Sequence, residues 1–148
     1  MATVTLTVGV SACGKTTWAR AKAQEVRAVV VSRDDIRIAQ GLVHGQDEDL
    51  VTDISRMQIE AALMYGYDVI VADTNLAARF RNQLIIFCIG LGADVKIKVF
   101  TVDYDTAVER DRLRSASVGA KVIRNQMDML ESQDIKDEYI SGAYSGRV

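Results

Sequence analysis

Four short runs rich in β-branched residues, separated by stretches of helical periodicity, constrain the folding of this chain more than any other feature. Thr3 to Val8 sets Val4, Leu6 and Val8 against alternating threonines, and Ala28 to Val31, Val69 to Ala72 and Lys96 to Val102 complete the set of predicted strands. Helices are predicted over Lys15 to Glu25, Asp49 to Tyr65, Ala78 to Leu91, Thr106 to Arg114 and Val118 to Leu130. Leu50, Ile54, Met57, Ala61 and Met64 form the apolar stripe of the second helix, and Phe80, Leu84, Phe87 and Leu91 that of the third. Thr106 and Glu109 read as a capping box. Strands and helices in alternation predict a parallel sheet covered on both faces, because right-handed crossovers return each segment to the same sheet. In such sheets the site lies beyond the carboxyl ends of the strands, which points to the residues after Val8, Val31, Ala72 and Val102.

The rest of the chain narrows the class. Its 148 residues contain no proline, repeat or low-complexity linker, so residues 1–148 are expected to form one domain. A domain of that size buries about two thirds of its unfolded surface. The net charge of -2 argues against coating duplex DNA by bulk positive charge, so a nucleic-acid partner would have to be gripped locally. Cys13 and Cys88 have neither CxxC nor Cys/His spacing, which argues against zinc and disulfide chemistry and fits a reduced cytosolic compartment. The opening "MATVTLTVGV" lacks a basic n-region, and no apolar run reaches membrane-spanning length, so a cytoplasmic protein without a membrane partner is expected.

The first strand end carries "GVSACGKT", Gly9 to Thr16, which fits GxxxxGK[ST] with a strand before it and a helix after it. Glycines there let successive N–H groups converge on phosphate oxygens at a helix N-terminus. Gly9, Ser11, Ala12, Cys13, Gly14, Lys15, Thr16 and Thr17 are the nucleotide-binding candidates. Lys15 reaches the β and γ phosphates, and Thr16 offers a hydroxyl to Mg²⁺. The motif resembles that of P-loop NTPases, which implies a three-layer α/β sandwich with a four-stranded parallel sheet in the order 2-3-1-4 and helices on both faces. NKxD is absent and "DTNL" stands in place of DxxG, which disfavours a signalling GTPase.

"SRDDIR" follows the second strand. Asp34 and Arg37 are three apart and share a helix face, while Asp35 points elsewhere, to cap the helix or pair with Arg33. Asp34 is therefore the candidate general base, and Arg37 a candidate holder of an anionic group on the acceptor. Asp73, after "VIVA", stands where a carboxylate supports the metal. Thr74 and Asn75 line the acceptor path or only cap the next helix. Arg110 and Arg114 share one face of the fourth helix and suit a γ-phosphate in transfer, with Arg114 the catalytic candidate. Lys121 and Arg124 extend this local positive character, whereas His44 in "GLVHGQ" reads as a loop residue.

With "LTVGVSACGKTTWAR", "SRDDIR", "VADTNL", "KVFTVD" and "VERDRLR" in this order, the chain resembles the kinase domain of bacteriophage-type polynucleotide 5'-kinases over most of residues 4 to 130. The resemblance implies transfer of the γ-phosphate of ATP or another NTP, with Mg²⁺, to the 5'-hydroxyl of single-stranded or end-exposed DNA or RNA. It assigns Lys15 and Thr16 to phosphates and metal, Asp34 to the base, Arg37 to the acceptor phosphate, Asp73 to the metal site, and Arg110 and Arg114 to the donor from a lid. A repair role is implied, and without a DxDGT signature no 3'-phosphatase activity is expected. A small-metabolite kinase and a non-enzymatic nucleotide-binding module remain the alternatives. Donor base, DNA against RNA, and assembly into a homo-oligomer stay open.

Overall fold

The alternation of Val and Leu with Thr gives β1 (Thr3–Val8) two unlike faces. Val4, Leu6 and Val8 are fully buried on one; on the other, buried Thr7 donates its hydroxyl to the carbonyls of Val71 and Asp73, so no polar group is stranded. The computed structural model describes residues 2–115 and 117–142. Within them β1 is the centre of a five-stranded sheet ordered β2-β3-β1-β4-β5. Strands β2 (Ala28–Val31), β3 (Asp68–Val71) and β4 (Asp94–Val99) run parallel to it, with Val4 opposite both Val69 and Val95.

The expected order 2-3-1-4 is present, but the sheet is not limited to four parallel strands. A fifth, β5 (Glu138–Ile140), pairs antiparallel with β4 at the edge. Its three residues lie in the acidic tail and carry no apolar alternation. Tertiary partners hold the strand instead: Asp137 accepts the Val99 N–H at 2.7 Å, and Asp94 accepts from the Tyr139 hydroxyl and from the Gly142 N–H.

Helix α1 (Lys15–Val26) lies on the sheet face away from Val4, with Ala19 buried against Ile70 and Ala72. Helices α3 (Glu48–Met64) and α4 (Ala78–Gly90) pack on the opposite face, against the main core of Val4, Leu6, Val69, Val71 and Val95. Between β2 and α3 lies α2 (Arg33–Gln40), N-capped by the Ser32 hydroxyl, which accepts the Asp35 N–H at 3.3 Å. Ser32, not either aspartate, is the cap.

The stripe expected on α3 faces outward: Met57 is 68% exposed and Met64 77%. Val51, Ser55, Ile59 and Ala62 are buried instead, because small and β-branched side chains let the helix approach the sheet, leaving Ile54 at the edge. On α4 the buried residue is Cys88, flanked by Leu84 and Phe87, while Phe80 is exposed. The fourth strand ends at Val99 rather than Val102, and α5 (Tyr104–Arg112) begins two residues before the expected capping box. Its N-cap is Asp103, which accepts both the N–H and the hydroxyl of Thr106. Helix α6 (Ala120–Glu131) follows, with Ile123 and Met127 buried toward Val10 and Ala107. Among the described residues no helix is long and apolar enough to cross a membrane.

Candidate active site

The loop between β1 and α1 is shaped by close approach at one end and by left-handed backbone in the middle. A Cβ on Gly9 would lie 2.8 Å from Cys13 Sγ and 3.1 Å from the Phe100 carbonyl oxygen, so any larger residue requires both to shift. Gly14 has φ 99°, and Ala12, which bears a side chain, has φ 61°. The turn directs the loop toward the N-terminus of α1, where main-chain amides and the helix dipole favour phosphate. Lys15 is buried there; its Nζ donates to the Val10 carbonyl at 2.5 Å and lies 3.5 Å from Cys13 Sγ. Burial lowers its pKa below that of an ordinary lysine. Cys13 and Cys88 are both free and buried.

Asp34, half exposed on α2, sits between two guanidinium groups: its Oδ1 accepts from Arg37 Nη1 at 2.9 Å, and its Oδ2 lies 3.8 Å from Arg114 Nη2. Asp35 pairs with Arg20 at 3.6 Å, and both line the same cleft as Asp34. Asp35 is thus neither the cap nor a partner of Arg33, the two roles its place in "SRDDIR" suggests; Arg33 instead reaches Thr52 and Glu48. Glu48, at the start of α3, was not foreseen. It binds Arg37 through both oxygens, at 2.8 and 3.3 Å, and hydrogen bonds from Arg37 hold its carboxyl below the ordinary pKa. Arg37 thus commits three of its five N–H groups to two carboxylates. No local pattern in "QDEDL" marks Glu48; only the return of α3 beside α2 does.

Asp73, just beyond β3, accepts the Arg33 N–H at 2.8 Å. Burial pushes its carboxyl up to about 6, against the pull of that N–H and of the Arg33 charge. Above the loop, Ser11 N–H donates to Gln126 Oε1 at 2.8 Å, and Gln126 Nε2 donates to Ser11 Oγ at 3.1 Å. The α5–α6 connection is tied by buried Asp111, which accepts from the Ser117 hydroxyl and from the Val118 and Gly119 amides. Burial opposes charge on Asp111, but these donors outweigh it and lower its pKa.

One cleft of roughly 970 Å³ gathers Ser11 to Thr17, Asp34, Arg37, Asp73, Thr74, Arg110 and Arg114. A volume of that order accommodates a nucleotide with part of a second substrate. Gly9 lies beneath it rather than in its wall. Asn75 is not brought to it either: with φ 46°, it turns its Nδ2 to the Thr7 carbonyl at 2.8 Å and anchors the loop. Arg20, the last residue of "LTVGVSACGKTTWAR", also lines the cleft, as do His44, Ser115, Val118 and Gln126, to which the sequence assigns no role at the site. Thr16 and Asp73 offer a hydroxyl and a carboxylate, the oxygen donors that Mg²⁺ takes alongside phosphates and waters.

A family model described as an AAA domain, AAA_33, matches residues 4–133. Among solved structures, the chain is similar to one from the Pnkp1/Rnl/Hen1 RNA repair complex, with 26% identity and a TM-score of 0.79. The match covers 95% of this chain but 49% of that one, so the chain spans about half the length of its solved counterpart. A gluconokinase from Sinorhizobium meliloti 1021 (17% identity, TM-score 0.57, 86% of this chain and 74% of that chain) shares the fold. So does a shikimate kinase from Acinetobacter baumannii in complex with shikimate (13% identity, TM-score 0.57, 89% of this chain and 77% of that chain). The architecture is a P-loop kinase fold.

Proposed function

The chain belongs to the AAA_33 family, and from that premise we propose that it is a polynucleotide 5'-hydroxyl kinase using ATP or another nucleoside triphosphate. The observation that carries this reading is Asp34 held between Arg37 and Arg114 at the mouth of a cleft whose floor is the phosphate loop. A carboxylate so placed takes the proton of an acceptor hydroxyl. The freed oxygen attacks the γ-phosphorus, the bond to the β-phosphate oxygen breaks, and the nucleoside diphosphate leaves. Lys15 and the loop amides hold the donor phosphates, while Arg110 and Arg114 take up charge on the transferred group. Thr16 and Asp73 would hold Mg²⁺, which supplies charge neutralisation at the phosphates. Arg37, fixed by Glu48, offers its remaining N–H groups to a phosphate of the acceptor strand.

Similarity to a chain of an RNA repair complex supports a nucleic-acid acceptor over a small alcohol. The experiment is transfer of label from γ-labelled ATP, with Mg²⁺, to 5'-hydroxyl DNA and RNA oligomers and to a panel of small alcohols. Label is expected on the oligomers, with activity falling as salt rises because each phosphate contact adds ionic-strength dependence. Label confined to a small alcohol would overturn the acceptor assignment. ATP binding with no transfer at all would make the chain a nucleotide-binding module.

A further inference from the structure

Ser11 and Gln126 meet across 115 positions of sequence, and their contact sits beside the most demanding backbone position in the phosphate loop. Ala12 follows Ser11 directly and has φ 61°, a left-handed conformation that a side-chain-bearing residue avoids. Asn and Asp ease such positions with local hydrogen bonds, but alanine has none to make, so its surroundings must hold it. The amide of Gln126 does so by engaging both the N–H and the hydroxyl of Ser11. The helix bearing it is itself fixed. Just past its end Gln133 donates to the Leu76 carbonyl at 2.7 Å and accepts from Arg81 at 3.0 Å, and Asp111 ties the connection that precedes it.

We infer that Gln126 is a positioning residue that clamps Ser11, keeps Ala12 left-handed and so preserves the phosphate-binding shape of the loop before nucleotide arrives. The inference rests on reading this loop as a nucleotide seat and is independent of the acceptor. Without the clamp Ala12 relaxes, the loop amides diverge, and only a fraction of molecules remains competent to bind. Apparent affinity falls by that fraction.

Calorimetric titration with Mg·ATP tests this on the full chain, with circular dichroism verifying the fold of each variant. Gln126→Leu is expected to weaken binding roughly tenfold, as for a loop competent about one time in ten. Measured against Ala12→Gly as its own reference, the added Gln126→Leu change should cost far less than in the unaltered loop, since glycine adopts the left-handed conformation unaided. A general packing role for Gln126 predicts the same cost against either reference. Should Gln126→Leu fail to fold, Ser11→Ala removes one of the two bonds, and its smaller loss should shrink in the same way. Unchanged affinity in Gln126→Leu, or a loss just as large when measured against Ala12→Gly, overturns the clamp. No binding by the unaltered chain overturns the nucleotide seat and the clamp together, whereas binding without transfer to a 5'-hydroxyl counts against the acceptor reading alone.

Discussion

At Gly9 the chain passes so near the end of β4 that a methyl group would press on Cys13 Sγ at 2.8 Å and on Phe100 at 3.1 Å. Cys13 can yield; the Phe100 backbone cannot without moving the strand end. Gly9→Ala should therefore cost about 1–3 kcal/mol in urea unfolding and weaken nucleotide binding more than that loss alone explains. Asp73 sets a second expectation. Its folded pKa, about 6, lies above the ordinary 3.8, so the folded state holds the proton more tightly than the unfolded chain. The resulting stabilisation is complete below about pH 4 and is lost as pH rises through about 6, where the buried carboxylate becomes charged. Without Mg²⁺, Asp73→Asn should flatten this dependence and at pH 7.5 exceed the unaltered protein in stability by up to roughly 3 kcal/mol. Urea unfolding across that pH range reads the difference. A parallel pair of curves would show that Asp73 titrates normally.

For the elements, α3 gives the sharpest contrast. Ile59 is fully buried and Met57 68% exposed, although both fit a helical apolar period. Ile59→Ala should cost about 2–5 kcal/mol and Met57→Ala less than about 0.5 kcal/mol by thermal or urea unfolding. Periodicity correctly placed the helix, but α3 offers two stripes of similar apparent quality. The choice belongs to the sheet, whose face accepts Ser55 and Ala62 because close approach favours small side chains. The same limit explains α5, where Asp103 claimed the cap from Thr106, and β5, where pairing with β4 makes a strand of residues with little strand character. The parallel strands beneath the site were legible because β1 to β4 need only local alternation or apolar runs to declare themselves.

Across the molecule, the cleft unites strand ends and helices that are remote in sequence, and that is where local reading both reached and stopped. The glycine-rich loop after β1 and the shared helix face of Asp34 and Arg37 are legible from motif and three-residue spacing; their ion pair is not. Nor are Glu48, Gln126 and the anchoring role of Asn75, since each acts through a contact made only when separate elements meet. In the proposed reaction Asp34, held between Arg37 and Arg114, deprotonates a 5'-hydroxyl facing a triphosphate on the loop. The most direct measurement is single-turnover transfer of labelled γ-phosphate from ATP to a 5'-hydroxyl oligomer by the unaltered chain and by Asp34→Asn. Transfer is expected from the former and a rate about 10²–10⁴-fold lower from the latter, with ATP affinity little changed. Equal rates in the two proteins would contradict that role for Asp34.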